Sequence, residues 1–478
     1  MATTAGAKKG LWSTIRRIAA SDRISGLIML GFALTGLVLA NLPATAHAFE
    51  TVAETHLFIP YTNLDLPIGH WAQDGLLTIF FLTVGLELKQ ELTTGSLANP
   101  KAAAVPMLCA VGGMIAPPIL FLAVTALFSQ IGPGEPGTLI LTTTGSSIPF
   151  SEMSHGWAVP TATDIAFSLA VLALFAKALP GSIRAFLMTL ATVDDLLAII
   201  LIAVFFSSIN AWYWFIGIAV CAAIWAYLVR LKKVPWIAVG IVGILAWIMM
   251  FEAGVHPTLA GVLVGLLTPS REMHGELSPR AERYANKLQP FSALLALPIF
   301  ALFATGVHFE SVSPLLLASP LVIALIVALV VGKPLGIITT AWLATHVGGL
   351  KMAKGLRVRD MIPAAVACGI GFTVSFLIAS LAYKNAELSA EARFGVLVAS
   401  LIAAAISGVL LSRQSKRFEK AAAAQAAAAE ALADAEAGES IDGNGTGQPS
   451  RTTKPTTPTE HPGTLADGTA SVEIDFRH

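Results

Sequence analysis

Four ionisable side chains stand deep inside long apolar runs of this sequence: Asp164, Asp194, Asp195 and Lys333. On insertion scales each charge costs on the order of 2.5–3.5 kcal/mol at the centre of a bilayer, so the four together cost roughly 10–14 kcal/mol before any is paired. Packing does not require that cost, and a structural ion pair accounts for only part of it. Lys333 can neutralise one carboxylate, but three carboxylates against one ammonium leave two formal negative charges. Something mobile and positive must supply the compensation. Adjacent aspartates on one helix are turned from each other by about 100°, so Asp194 and Asp195 cannot both address one atom. One suits a pair with Lys333, and the other suits a water-filled cavity shared with Asp164 and the Thr163 hydroxyl. Oxygen ligands alone favour a hard cation, and no His or Cys is placed with them to suggest zinc or copper. Closely spaced carboxylates titrate as a coupled set, so the same oxygens can hold protons or a cation. Competition for them would link the two fluxes.

The elements that must position these groups are membrane spans. Of 478 residues, 55% are apolar and 13% charged, with a mean hydropathy of +0.73, which excludes a single water-soluble domain. Lys plus Arg and Asp plus Glu number 30 each, so neither the basic excess of a nucleic-acid binder nor an acidic surface is present. Cys109, Cys221 and Cys368 lie in apolar runs without disulfide or metal-ligand spacing and read as packing residues. Twelve apolar stretches are candidate spans, near 24–42, 71–88, 103–128, 157–177, 185–208, 211–229, 234–252, 255–268, 291–308, 318–346, 361–383 and 394–412. The N-terminal segment and the loops after spans 2, 4, 6, 8, 10 and 12 carry 5, 2, 2, 3, 4, 4 and 4 Lys and Arg; the alternate loops carry 0, 0, 0, 0, 0 and 2. That asymmetry predicts an even number of spans with both termini in the cytoplasm. Lys8, Lys9, Arg16, Arg17 and Arg23 precede the first span, and with no cleavage-type site closing a short apolar region it reads as retained.

The expected organisation is therefore a cytoplasmic N-terminal segment over 1–23, a transmembrane domain over 24–413 and a cytoplasmic tail over 414–478. The tail is alanine-rich and compatible with helix over 421–437, then has a disordered composition from 438. The first outer loop alternates weakly over 56–66, compatible with an external hairpin or an ordinary loop.

Spans 3–5 and 10–12 form two three-helix groups that begin on opposite sides of the membrane. Each has a broken middle member, at Pro160–Asp164 in span 4 and at Cys368–Thr373 in span 11, where Gly369 and Gly371 stand. The expected fold is an all-α membrane protein of about twelve helices, with two inverted repeats whose interrupted helices cross near the midplane. Gly and Pro are also common in membrane helices generally, so the breaks alone do not establish a repeat. Asp194 lies about ten residues, roughly 15 Å, into its span, and Lys333 at a similar depth from the other side. Half-helix ends carry partial charges that side chains of opposite sign stabilise; Asp164, beyond Pro160, and Lys333, before Pro334, are candidates.

The segments VGLELKQEL (84–92), GWAVPTATDIAFSLAVLALF (156–175), LMTLATVDDLLAIILIAVFF (187–206), GVHPTLAGVLVGLL (254–267), VGKPLGIITTAWLA (331–344) and GIGFTVSFLIASLAY (369–383) closely resemble NhaA-type sodium/proton antiporters of bacterial inner membranes. The resemblance spans roughly residues 12–415 in order. It implies electrogenic exchange of cytoplasmic Na⁺ (and Li⁺) for external H⁺, activated at alkaline pH, serving sodium and pH homeostasis. No cofactor beyond the transported ions is implied, and the partners implied are membrane lipid and a second copy in a homodimer, with no nucleic acid. By the same resemblance Asp195 is the principal cation and proton carboxylate, Asp194 the partner of the buried Lys333, and Thr163 and Asp164 belong to the interrupted fourth helix. Na⁺ would bind at Asp195 and Asp194. Asp74, Glu87 and Glu91 match positions linked to the cytoplasmic entrance and pH response, and His256 matches another position tied to pH response. Glu87 and Glu91, four apart on one helical face, equally fit solvated charges at a span end, and His256 equally fits a hydrated interfacial imidazole. One departure stands out: Ala285 occupies a position where the family often has a glutamate, with Glu282 nearby. That bears on the pH set point.

Two other functions use similar ingredients. An intramembrane aspartyl protease shares a proton between two carboxylates, but needs them on facing helices and has no use for a midplane lysine. A sodium-coupled symporter for an organic solute shares the broken-helix plan, but needs a larger solute cavity.

Overall fold

A computed structural model describes residues 18–442, apart from 20, 59–63, 133–134, 142–144, 177–178, 307–313, 351 and 353–355. The described chain is overwhelmingly helical. Its strands form two short antiparallel hairpins, His56–Phe58 with Asp65–Pro67 and Thr138–Ile140 with Ser147–Pro149. The first of these lies in the segment that alternates weakly in sequence.

Among the described residues six helices are long and apolar enough to cross a membrane, and two bent pairs bring the number to eight. The six cover Arg23–Asn41, Ala103–Ile131, Gly181–Phe205, Arg280–Ala304, Pro320–His346 and Ala386–Ala431. The bent pairs are Phe150–Thr161 with Ile165–Phe175, at 50°, and Val358–Ala367 with Phe372–Ala382, at 58°. Trp214–Leu228 and Trp236–Glu252 are shorter apolar helices. Helix also occupies Trp71–Thr93, beginning as a π-turn over Trp71–Leu76, and Leu259–Leu267. Apolar side chains cover the outside: Ile237 is 83% exposed and Ile131 69%, an arrangement suited to lipid rather than water.

Several element bounds depart from the apolar pattern. The helix expected near 291 begins at Arg280, because its first turns are amphipathic rather than apolar. Pro106, Pro117 and Pro118 do not end the helix Pro100–Ile131. The last helix runs unbroken from Ala386 to Asp442, so 413/414 is no boundary in secondary structure and the alanine-rich stretch is helical. Of the N-terminal segment, residues 1–17 lie outside the described residues, as does the tail from 443.

Close helix approach is built from small residues, as membrane packing favours. A Cβ on Gly336 would fall 2.2 Å from the Gly112 carbonyl oxygen, and one on Gly112 would fall 2.7 Å from that of Gly336. This contact fixes the helix Lys333–His346 against Pro100–Ile131 and sets where Lys333 projects. The three cysteines are free and buried.

Candidate functional site

The two broken helices meet at their interruptions and are stitched together there. The Asp164 amide donates to the Ile370 carbonyl at 2.7 Å. The Thr163 hydroxyl donates to the Cys368 carbonyl at 2.9 Å, and Ser168 to that of Ala367 at 2.8 Å. Backbone groups freed by each break are thus satisfied by the other, which is how irregular backbone survives away from water. Pro160 sits in the tight turn His155–Thr161 that closes the first half-helix. Gly369 is required by space, since its Cβ would lie 2.5 Å from the Leu329 carbonyl oxygen; one on Gly371 would meet the Ser375 hydroxyl at 2.3 Å.

Asp164 caps two helix N-termini at once. It accepts from the Phe167 amide at 2.9 Å at the start of its own helix. Its other oxygen accepts from the Thr373 amide at 3.2 Å and hydroxyl at 2.8 Å, at the start of Phe372–Ala382. A carboxylate facing two positive helix ends is electrostatically matched. Its valences are largely taken by the scaffold.

Lys333 lies opposite. Its ammonium donates to Asp194 Oδ2 at 2.7 Å and to the carbonyl of Thr161, the last residue of the tight turn. It therefore neutralises one carboxylate and a half-helix C-terminus together. Lys333 is 0% and Asp194 1% exposed. The second Asp194 oxygen, Oδ1, is buried without a hydrogen-bond partner among the described residues.

Asp195, one residue on, is turned away from this pair. It is 6% exposed, and among the described residues its carboxylate makes no hydrogen bond or ion pair. The charged groups within electrostatic reach are Asp194, Asp164, Glu87 and Lys333. The result is a buried acid facing more negative than positive charge. Among the described residues no three His, Cys, Asp or Glu side chains converge to hold a metal ion. A cation at Asp195 would meet one protein carboxylate and complete its shell with other oxygen ligands, which suits a weakly held alkali ion better than a trapped divalent one.

The other candidates separate into two places. Asp74 lies at one end of its helix, 3.5 Å from His256 Nε2, while His256 Nδ1 is 2.7 Å from the Thr258 hydroxyl. They border a polar cavity of about 660 Å³ with Gln73, Tyr383, Lys384 and Arg393. Glu87 and Glu91 lie toward the opposite end of the helix that carries Asp74. Glu91 accepts from the Ser96 amide at 2.9 Å and hydroxyl at 2.8 Å, and that hydroxyl is 2.8 Å from Thr189 on the aspartate-bearing helix. Glu87 is exposed. Ala285 is buried with Leu86, Ala281 and Tyr284 in an apolar cluster, and Glu282 is exposed. Nearby, the Arg280 guanidinium donates to Glu276, shortest at 2.7 Å, and to the Val229 and Leu231 carbonyls at 2.6 and 2.7 Å. Hydrogen bonding from Arg280, reinforced by Arg283, holds the Glu276 carboxyl below the usual glutamate range.

Thr373, Ser96 and Thr189 were not singled out by the sequence. Thr373 stands inside the break Cys368–Thr373, where a hydroxyl beside an interrupted helix is the one sequence signal; Ser96 and Thr189 carry no such mark.

A family model described as Na⁺/H⁺ antiporter 1 matches residues 16–145 and 138–411. The "Na(+)/H(+) antiporter NhaA" of Bifidobacterium longum (strain NCC 2705) is 97% identical over 478 residues, all of both chains. That of Bifidobacterium breve (strain NCIMB 8807 / UCC2003) is 87% identical over 477 residues, again 100% of each. The "Na(+)/H(+) antiporter NhaA 3" of Streptomyces coelicolor (strain ATCC BAA-471 / A3(2) / M145) is 38% identical over 400 residues, 83% of this chain and 80% of that one. Among solved structures, the sodium proton antiporter MjNhaP1 from Methanocaldococcus jannaschii at pH 8 overlays with a TM-score of 0.47 at 12% identity, covering 86% of this chain and 98% of that one.

Proposed function

The chain belongs to the Na⁺/H⁺ antiporter 1 family, and from that premise we propose that it exchanges cytoplasmic Na⁺, and Li⁺, for external H⁺ across a bacterial inner membrane. It is a transporter, not an enzyme. The single observation that carries the site assignment is the unpaired, buried Asp195 carboxylate beside the Lys333–Asp194 pair. Deprotonated, it attracts a cation with no residue to displace; protonated, it has lost the charge that held one. One ion leaves as the other arrives, and exchange follows from competition at one set of oxygens.

The same reading takes the helices as twelve spans with both termini cytoplasmic, and spans 3–5 and 10–12 as inverted repeats. Support comes from the loop asymmetry of Lys and Arg and from two bent helices whose breaks hydrogen-bond each other. Asp164 fixes the crossing at its N-termini and Lys333 at a C-terminus, so the two half-helix pairs can tilt about a fixed centre. Exchange is electrogenic, with more protons entering than Na⁺ leaving, and it is activated at alkaline pH, where a deprotonated site is available to Na⁺. Asp74 and His256 at one end, and Glu87 and Glu91 at the other, are the groups through which pH acts. Membrane lipid surrounds the domain, the chain forms a homodimer, and no cofactor is needed beyond the transported ions.

A protease role fits poorly: the two adjacent aspartates lie on one helix, and Lys333 holds one of them. The test is the response of everted vesicles to Na⁺ under an imposed pH gradient. Collapse of the gradient at alkaline pH that is lost in Asp195→Asn supports the assignment, and an equal response in that variant overturns it.

A further inference from the structure

The end of the helix Lys333–His346 and the following loop enclose an apolar groove of about 780 Å³ that ion exchange does not use. One wall is the outward stripe of that helix, with Thr339, Trp342 and His346 at near-helical spacing, and Trp342 and His346 stacked at 5.3 Å. The stripe continues toward the membrane core through Leu335, 48% exposed, while Leu343, 49% exposed, follows Trp342 at the outer end of the helix. The other wall is Leu350, Met352, Leu356 and Ile362. At its mouth stand Arg357 and Arg359, both exposed. The Arg359 guanidinium makes no hydrogen bond or ion pair with another described residue, whereas nearby Asp360 is engaged by the Arg357 amide at 3.1 Å. This loop is among the most basic in the chain and lies on the side read as cytoplasmic.

We infer that the groove binds an anionic phospholipid of the cytoplasmic leaflet, one acyl chain along Leu335–Trp342 and the phosphate between Arg357 and Arg359. Charge decides the occupant. A zwitterionic lipid would fill the apolar channel with no net negative charge and would bring a second cation toward the arginines, whereas each basic side chain near an anionic lipid adds its own attraction. Trp342 sits where the apolar stripe meets the charged rim, the level at which indole rings gather in membranes. The groove lies between the helix that begins at Lys333 and residues that include Val358, Arg359 and Ile362 at the start of the segment Val358–Ala367, which leads into the second break. A lipid wedged there braces the two elements against each other. The inference uses the orientation proposed above, but not the assignment of Asp195.

The test is native mass spectrometry of the full chain, delipidated and titrated with phosphatidylglycerol or with phosphatidylcholine of the same acyl chains. Saturable binding of phosphatidylglycerol is expected, weakened about thirtyfold when Arg357→Gln and Arg359→Gln are combined, the summed loss of two basic contacts. Thr339→Trp, which fills the groove from its lipid-facing wall, is expected to block the same site without touching the charges. Equal binding of the two lipids, or phosphatidylglycerol binding unchanged in both variants, overturns the inference. So does phosphatidylglycerol binding that appears only when the tail beyond residue 442 is removed, because that would make the tail the occupant. Loss of antiport in Asp195→Asn with lipid binding intact would separate this site from the transport site.

Discussion

Replacing Lys333 by methionine keeps the length of the side chain and removes its charge. The ammonium serves three functions in one place: it donates to Asp194 Oδ2 at 2.7 Å, it donates to the Thr161 carbonyl, and it is the only positive group acting on Asp195 among the charged neighbours named above. Breaking a buried pair by removing one partner costs about 3–5 kcal/mol, because the other charge stays buried alone. Here Asp194 Oδ1 already lacks a partner, so the upper part of that range is expected. The carbonyl end of the first half-helix also loses its cation, worth about 0.3–1 kcal/mol or more where water is excluded. Thermal unfolding in detergent can be followed by the reaction of a fluorogenic maleimide with Cys109, Cys221 and Cys368, which are buried and free in the folded protein. Lys333→Met should melt well below the parent. Combining it with Asp194→Leu removes both charges, and replacing a buried pair by apolar groups is often close to neutral. The double variant should therefore regain most of the lost stability while remaining inactive. A single variant that melts with the parent, or a double variant less stable than the single, would refute the argument that this pair holds the crossing together.

Thr373→Val removes one of two donors to the same Asp164 oxygen, a charge-assisted hydrogen bond worth about 1.5–3 kcal/mol; antiport and melting temperature should both fall, while Thr373→Ser should restore them. Gly336→Ala forces a methyl to within 2.2 Å of the Gly112 carbonyl oxygen, and overpacking of this kind costs about 1–3 kcal/mol; thiol-reaction melting checks this, and a melting temperature equal to the parent would mean that the two helices can separate freely. Glu276 has a folded pKa depressed by its arginine partners, so its contribution is present above the unfolded glutamate value of about 4.3 and is lost as pH falls through the lower folded value. Glu276→Gln should therefore melt earlier than the parent at pH 6–8, with the difference closing in acid, as melting curves across pH would show.

Charge within an apolar run survives in one dimension, which is why Asp164, Asp194, Asp195 and Lys333 could be read from the sequence. The pairing of Lys333 with one aspartate followed from the 100° step between neighbours. That Asp194 is the partner comes from the structure and from the resemblance, since spacing alone leaves the two aspartates equivalent. The position of Asp164 beyond Pro160 points to a half-helix end; its double capping role needs Thr373, 209 residues away, and no local pattern reports that proximity. The meeting of Asp74 with His256 has the same cause. The π-turns at Trp71–Leu76, Ser292–Ala296 and Ala328–Gly332 arise from packing, and hydropathy is blind to them. The early start at Arg280 was missed because a search for apolar runs overlooks amphipathic turns whose buried arginine binds loop carbonyls.

Antiport at this site requires Asp195 to exchange a proton for an alkali ion, and proton release measures that directly. Purified protein in lightly buffered detergent at alkaline pH, titrated with NaCl against choline chloride, should release protons saturably, and Asp195→Asn should release none. Sodium addition without proton release by the folded parent protein, or equal release by Asp195→Asn, would contradict it.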